Sequence, residues 1–332
     1  MCSAETMTSE NKCSICCDRN VAGFSYGVLC CGACKMFFRR VLFVKNINKC
    51  RRGENCANKC RYCRFKRCIR AGMSYVPNEK LTELKNTGSL SAFIFNLIHQ
   101  DDYRNIQLRS SLFEGDPTVA DIAWDPGPVK FTKRPSDHRM DLGQWVFISG
   151  LTALDYLKKF NHVSMLNHED RSALLKFTFF DFCIFTDALR AFQQGQTRIS
   201  FPDGTDVVEP MVAGITSKFL DGIKCKLAAR ITELNVTTEE FLLLSAVFFC
   251  NPALPTISAS GRGILNTYRQ IYSSALLQYC QLIHQQSGPS RFADLLSVFH
   301  AIVKTRMDIS YVFILNTIHV PCAQLKKIFI FS

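Results

Sequence analysis

The sequence predicts a small α module held together by cysteines, followed by an all-α domain with one small β-hairpin. Cysteine is concentrated in the first unit. Of the 17 cysteines in the chain, 12 lie before position 69. Positive charge is concentrated there as well, since residues 1–75 carry a net +11 of the chain's +12. The remainder consists largely of long apolar segments with helical periodicity. A basic field concentrated in this way indicates a polyanion as partner.

The early cysteines are better suited to metal binding than to disulfides. The first residues, MCSAETMTSENK, lack the apolar run of a secretion signal, so we expect a reducing compartment. No histidine precedes His99, which excludes a finger with two cysteine and two histidine ligands. Eight thiols can form two closed tetrahedral sites, which is typical of structural zinc and not of catalytic zinc. The candidate ligands are Cys13, Cys16, Cys31 and Cys34 for one site, and Cys50, Cys56, Cys60 and Cys63 for the other.

A helix predicted directly after the fourth of these cysteines has two chemically different faces. At about 100° per residue, one arc is apolar and includes a metal ligand, whereas the other is cationic. A cationic arc of this kind fits the major groove of DNA, where Lys and Arg donate to guanine O6 and N7. A solvated face without a partner is the alternative. The inner arc is Cys34, Phe37, Phe38, Val41 and Leu42, and the outer arc is Lys35, Met36, Arg39, Arg40 and Phe43.

A second basic helix is predicted over RYCRFKRCIRAGM (61–73), where Phe65 and Ile69 are available to pack on the first. Its arginines and lysine are best explained by phosphate contacts, which position a protein on DNA without reading the sequence. The polar stretch SYVPNEKLTELKNTGSL (74–90) contains Pro77 and Gly88, which predicts a linker.

The second unit is predicted to be helical, with one exception. Asn167 precedes one helix, and Thr237 with Glu240 makes a capping box before another. In TRISFPDGTDVV (197–208), turn residues separate two short alternating runs, which predicts the β-hairpin. The predicted helices cover about 91–110, 143–160, 168–192, 241–250, 260–286 and 290–320.

No segment has the length that a membrane-spanning helix requires. The most apolar runs, FLLLSAVFFC (241–250) and ISYVFILNTIHV (309–320), fall far short of about 20 residues. We therefore expect no membrane partner. The predicted division of the chain is a tail at 1–11, a zinc module at 12–73, a hinge at 74–90 and a helical domain at 91–332.

The zinc module resembles the DNA-binding domain of nuclear hormone receptors, and divergent receptors of the nematode type in particular. The shared motifs are CxxC at 13–16, GFSYGVL at 23–29, CGACKMFFRR at 31–40 and CRYCRFKRCIRAGM at 60–73. The resemblance implies a nuclear transcription factor that binds specific DNA sequences and regulates RNA polymerase II genes, and not an enzyme. It also implies two structural Zn²⁺ ions on the two cysteine groups.

The resemblance further implies how residues of the module contact double-stranded DNA. Lys35 and Arg40 would read base edges, whereas Arg39 would hold phosphate. By the same pattern, Gly32, Ala33 and Met36 would tune which bases are read. The remaining DNA-contacting candidates, Arg64 and Arg67, belong to the second basic helix, whose cations are explained by phosphate contacts.

Two spacings depart from the family pattern. Cys16 and Cys31 enclose 14 residues, one more than the pattern has, and Cys17 is an alternative ligand that restores the spacing but breaks the CxxC. Only ANK separates Cys56 from Cys60, a shorter stretch than the family's. The missing stretch normally adds phosphate contacts and supports the dimer loop, here 51–55. The second zinc site and dimerisation on DNA are therefore the features that depart most from the family.

The helical unit resembles the ligand-binding domain of the same family, an α-helical sandwich. LKKFNHVSMLNHEDRSALLK (157–176) matches its signature segment, which places Lys158 and Lys176 beside a coregulator groove. Two solvated lysines at helix ends are the alternative. The resemblance also implies a pocket for a small lipophilic ligand behind 143–160, although core packing explains the same apolar residues. The polar candidates in that pocket are Ser149, Thr152 and Arg190.

The chain ends in AQLKKIFIFS, with no acidic residue after Asp308. Ligand-activated receptors usually finish with a helix whose acidic residue pairs with a lysine of the groove. We therefore expect classical ligand-driven coactivator recruitment to be impaired. The alternative function is a receptor-like ligand sensor or dimerising cofactor with weakened DNA binding. Coregulators and a receptor dimer partner are the candidate protein partners.

Overall fold

The structure is a computed structural model that describes residues 12–45, 47–50, 56, 60–77, 87–208, 215–319 and 326–330. It confirms the predicted fold class, because a small cysteine-rich module precedes a mostly helical domain. The predicted tail at 1–11 and the dimer loop at 51–55 lie outside the described residues. No helix among the described residues is both long enough and apolar enough to span a membrane.

The module begins with an antiparallel hairpin of strands β1 (Gly23–Ser25) and β2 (Val28–Cys30). Its two turn residues, Tyr26 and Gly27, have φ angles of 55° and 85°. Positive φ at both central residues is the mark of a type I′ turn, whose backbone twist matches the twist of the strands in a two-residue hairpin. The hairpin was not predicted, and it leads the chain directly into the helix that follows.

Two helices complete the module, α1 (Gly32–Val44) and α2 (Arg61–Arg70). The ring of Phe38 on α1 stacks on that of Phe65 on α2, with centroids 6.0 Å apart. Phe38 also meets Tyr26 of the hairpin edge-on at 5.1 Å. Both phenylalanines are fully buried, so the predicted packing of the two helices is confirmed.

Among its described residues, the helical domain contains nine α-helices, two short 3-10 helices (Gln285–Ser287 and Lys327–Phe329) and one two-stranded sheet. The predicted helices are confirmed within a few residues at their ends, and three short or intermediate helices were not predicted: α4, α6 and α8. The elements are α3 (Thr87–Ser110), β3 (Ser111–Leu112), α4 (Val119–Trp124), β4 (Thr132–Lys133), α5 (Leu142–Leu157), α6 (Asn161–Met165), α7 (His168–Gln193), α8 (Ser217–Leu234), α9 (Thr238–Phe248), α10 (Ala259–His284) and α11 (Gly288–His319).

Helix starts follow the capping residues read from the sequence. The Asn167 side chain accepts a hydrogen bond from Asp170 N at 2.7 Å at the start of α7. At the start of α9, Glu240 N donates to Thr237 Oγ1 at 3.2 Å, and Thr237 N donates to Glu240 Oε2 at 3.0 Å. These bonds satisfy N–H groups that a helix leaves unpaired at its first turn.

The small sheet of the helical domain lies elsewhere than predicted. At 197–208 the turn forms, with Gly204 N donating to Phe201 O at 2.9 Å, but the flanking runs share only one isolated bridge, Ser200 to Asp206. Neighbouring helices take backbone groups that a longer ladder would use, because Ser200 O accepts from Arg190 and Ile199 N donates to Lys224 O at 3.0 Å. The two-stranded sheet is β3 with β4, which ties the end of α3 to the Pro-rich crossing.

Helix α3 is packed between the module and the rest of the helical domain. The rings of Phe95 and His99 on α3 lie 5.8 Å and 5.1 Å from that of Phe65 on α2. Asn96 and Gln100 donate to Met73 O at 3.3 Å and 3.1 Å. Tyr75 N donates to Asn96 Oδ1 at 2.9 Å, so the start of the predicted hinge is held against α3, and 78–86 lie outside the described residues.

Candidate metal centres and nucleic-acid interface

The first cysteine group consists of four thiols that all lie within 4.8 Å of one another. The hairpin carries the chain to Cys31, the N-cap of α1, and Cys34 follows in the first helical turn. Cys13 and Cys16 come from the turn before the hairpin. The structure brings Cys16 into the group and not Cys17, which was the alternative ligand. The members are Cys13, Cys16, Cys31 and Cys34.

The surroundings of this group favour thiolates bound to a cation. Although burial opposes it, hydrogen bonding to the backbone of Cys16, Cys31 and Ile15 lowers the pKa of the Cys13 thiol to about 7. Burial instead raises the pKa of the Cys34 thiol, whose side chain is fully buried. A buried thiol of this kind ionises readily only when it binds a cation, and Zn²⁺ deprotonates its thiol ligands.

The second cysteine group also comes together, despite the shortened spacing. Its four thiols lie within 4.8 Å of one another, and only Cys63 is buried. Cys60 is the N-cap of α2. Hydrogen bonding to the backbone of Cys63 lowers the pKa of the Cys60 thiol to about 7. The members are Cys50, Cys56, Cys60 and Cys63.

Both groups fit a structural zinc ion. Each supplies four thiolate donors, the ligand set that closes a tetrahedral Zn²⁺ site and leaves no position for a reacting water. The first group belongs to the core of the module, whereas the second lies at its rim. The groups would therefore hold the hairpin, α1 and α2 together.

Helix α1 presents the two faces that its periodicity predicts. Its inner residues, Cys34, Phe37, Phe38, Val41 and Leu42, are all buried. The side chains of Lys35, Arg39 and Arg40 are exposed, and Met36 between them is 45% exposed. Gly32 is exposed and Ala33 half-buried at the start of the helix. The cationic surface of α1 thus lies on the opposite side of the helix from the first cysteine group.

The two α2 arginines that were expected on DNA are half-buried against the module. The guanidinium of Arg64 donates to Cys34 Sγ at 3.2 Å and lies 4.5 Å from the centre of the Phe37 ring. Two guanidinium nitrogens of Arg67 are buried without a hydrogen-bond partner among the described residues. The contact of Arg64 with a metal-ligand sulfur could not be read from the sequence, because the two residues are far apart along the chain. Phosphate contacts of Arg64 and Arg67 remain a prediction.

Comparison with known proteins identifies both units. Residues 11–75 match the family described as double treble clef zinc finger, C4 type, and residues 137–313 match the ligand-binding domain of nuclear hormone receptor. The nuclear hormone receptor family member nhr-167 of Caenorhabditis elegans is 35% identical, over 96% of this chain and 95% of the relative. The member nhr-9 of the same organism is 36% identical, over 97% and 96%. The chain belongs to the nuclear hormone receptor family.

The receptor thus has the DNA-binding and ligand-binding domains of a transcription factor, and the family acts through transcription and not through catalysis. Its two four-cysteine groups fit the two zinc ions of the DNA-binding domain.

The two lysines expected at the coregulator groove differ in their surroundings. Lys158, at the C-terminal end of α5, donates to Gly127 O at 2.6 Å and to Ile122 O at 3.4 Å. Burial lowers the pKa of Lys158, against the attraction of nearby carboxylates. Lys176 is half-buried on α7. The ammonium of Lys158 therefore contacts the receptor's own chain at and after α4.

The residues expected to orient a lipophilic ligand are engaged in the core. Thr152 Oγ1 donates to Ser149 O at 3.0 Å, and Arg190 pairs with Asp187 at 2.6 Å. A cavity between α5, α7 and the segment near Phe201 has a volume of about 40 Å³, and of the three candidates only Ser149 lines it. Ligand pockets occupy roughly 300–1,000 Å³. This cavity is therefore too small for a lipophilic ligand without rearrangement.

Proposed function

We propose that this receptor acts in the nucleus by binding specific sequences of double-stranded DNA through the outer face of α1. Lys35 and Arg40 contact base edges in the major groove, and Arg39 holds phosphate. The observation that carries the proposal is the exposed cationic face of α1 on a helix whose opposite face is buried against the first cysteine group.

The geometry supports base reading because α1 is held in place by the first cysteine group, by α2 and, behind α2, by α3. Cys31 and Cys34 attach its first turn to the first metal group. Phe38 is buried against α2, and α3 packs behind α2. A helix held in this way loses little conformational entropy when it enters the major groove. Each bidentate contact of its side chains can then favour the correct base over a wrong one by about 1–3 kcal/mol.

Binding of a small lipophilic ligand would require the helical domain to rearrange. The polar residues expected in the pocket are hydrogen-bonded within the core, and the cavity beside Ser149 is small. We therefore propose that the conformation described here binds DNA without a lipophilic ligand. Coregulators and a dimer partner would act on this DNA-bound receptor.

The test compares the affinities of single variants for a selected cognate duplex and for a scrambled duplex. Lys35→Ala and Arg40→Ala are expected to weaken cognate binding by about 1–3 kcal/mol and to leave scrambled binding and zinc content nearly unchanged. Arg39→Ala is expected to weaken binding to both duplexes equally and to lower the salt dependence. Lys304→Ala, on the exposed surface of α11, is the control for loss of one positive charge.

Two results would overturn the proposal. Equal losses on both duplexes for Lys35→Ala and Arg40→Ala would mean that α1 only holds phosphate. Failure of the wild-type receptor to bind any selected sequence, together with pairing to another receptor, would favour the alternative of a dimerising cofactor.

A further inference from the structure

Helix α4 lies across the C-terminal end of α5 and the first turns of α7, on the surface where the family signature places Lys158. The Trp124 Nε1 donates to Ser172 Oγ at 3.0 Å, and its ring meets that of His168 edge-on at 5.7 Å. From the same end of α7, the Arg171 guanidinium donates to Ala123 O at 3.3 Å. The helix is therefore bound to this surface by side chains of α7.

The apolar residues of α4 occur at positions i, i+3 and i+4. Val119, Ile122 and Ala123 are 6%, 5% and 2% exposed and belong to the main core of the domain. Asp121 and Trp124 on the other side of the helix are exposed. An amphipathic helix that inserts residues with this spacing is the usual ligand of a helix-binding groove.

Lys158 binds the C-terminal end of α4. Its ammonium donates to Ile122 O within the helix and to Gly127 O just beyond it. The last carbonyl groups of a helix lack partners within the helix and carry partial negative charge, so a cation at this end is stabilising. Asp155, one turn before Lys158, accepts from Val129 N at 2.8 Å and fixes the chain that leaves the helix.

The chain that leads into α4 is held by the C-terminal segment. Asp116 accepts a hydrogen bond from Lys327 N at 2.9 Å. Next to it, Ile328 is 1% exposed, and the ring of Phe329 lies 5.8 Å from that of Phe179 on α7. The segment 326–330 thus contributes no acidic residue to the groove, but it anchors the approach to α4.

We propose that α4 is the resident occupant of a helix-binding groove formed by α5 and α7, and that another protein's helix binds there only after α4 leaves. The external partner is an amphipathic helix with aliphatic residues at i, i+3 and i+4 and with C-terminal carbonyls that accept from Lys158. The inference goes beyond DNA reading, and it does not depend on which bases α1 contacts.

The test uses the full-length receptor and a fluorescent peptide of residues 116–129 (DPTVADIAWDPGPV), which is the resident segment itself. The double variant Thr118→Ala/Trp124→Ala removes the helix cap and the bond to Ser172 without altering the groove. Loss of a cap and loss of one hydrogen bond each cost on the order of 1 kcal/mol. The population of molecules in which α4 is released should therefore rise about tenfold or more. We expect the variant to bind the peptide at least tenfold more tightly than the wild type does.

Adding Lys158→Ala to the double variant is the matched control, because it alters the groove and not the peptide. We expect the gain in affinity to disappear, while hydrogen exchange at 119–124 stays fast. Three outcomes would overturn the proposal: equal peptide affinity in the wild type and the double variant, unchanged exchange at 119–124, or a gain that survives Lys158→Ala. DNA affinity, measured in parallel, is expected to be unchanged, so a failure here is separate from a failure of DNA reading.

Discussion

The basic residues on the outer face of α1 and Lys158 of the helical domain differ in what their charged groups contact. Lys35, Arg39 and Arg40 extend from α1 into solvent. Lys158, by contrast, binds carbonyl groups of its own chain. The cavity near Ser149 has a volume of only about 40 Å³. The cationic face of α1 is thus exposed, whereas the Lys158 ammonium is already bound to the chain at and after α4.

The largest expected difference between the two regions is their dependence on zinc. Cys34→Ser removes one ligand of the first group, and a structural zinc stabilises a module of this kind by on the order of 10 kcal/mol. We expect the zinc content to fall, DNA binding to be lost, and most of the helical signal of the second domain to persist. Zinc analysis, DNA titration and thermal unfolding followed by circular dichroism provide the measurements.

Cys225→Ser provides the control for the zinc experiment, because this half-buried cysteine on α8 belongs to neither group. It should leave zinc content and DNA affinity unchanged. Normal zinc content and DNA binding in Cys34→Ser would show that the first group does not hold the module together.

The second expected effect concerns the closed interior of the helical domain. Phe201 is 4% exposed, lines the small cavity and stacks on Trp145 with ring centroids 5.8 Å apart. Phe201→Ala should lower the free energy of unfolding by about 3–5 kcal/mol, because the surrounding side chains cannot close the space completely. Urea unfolding measures this change, and the DNA affinity should stay the same.

Phe177→Ala is the matched substitution on the surface of α7, where the side chain is 45% exposed. It should change the free energy of unfolding by less than about 1 kcal/mol. Similar effects of the two substitutions would mean that the interior is not closed around Phe201.

The smallest expected effect tests the connection between α2 and the first zinc group. Arg64→Ala removes the hydrogen bond to Cys34 Sγ and the contact with the Phe37 ring. Because partners of metal ligands commonly contribute 10–100-fold to metal affinity, we expect a weakening of about that size. Competition with a chromophoric chelator measures it. Arg61→Ala, at an exposed position of the same helix, should leave the zinc affinity unchanged. Equal losses of zinc affinity in the two variants would show that Arg64 does not support the first zinc group.

Features set by local sequence could be predicted. The two faces of α1 follow from the period of one helix, and the cysteine groups follow from short ligand spacings on either side of it. The capping residues Asn167 and Thr237 were also correct, because each bonds to a backbone group only three residues away.

Features set by distant partners were missed. The turn at 202–204 was predicted correctly, but its ladder does not extend, because Arg190 and the backbone of Lys224 bind backbone groups of the flanking residues. Helix α4 lies in a Pro-rich stretch and is only six residues long, so it depends on α5 and α7 for its burial. One local signal was present, since Thr118 and Asp121 have the spacing of a capping box.

The central claim is that the outer face of α1 reads DNA without a ligand and without release of α4. Selection from a random DNA pool with the purified, zinc-loaded and ligand-free receptor tests it most directly. We predict enrichment of one recurring short site, and we predict that Lys35→Ala and Arg40→Ala abolish this enrichment. A pool that remains random with the wild-type receptor, or the same site recovered by both variants, would contradict the claim.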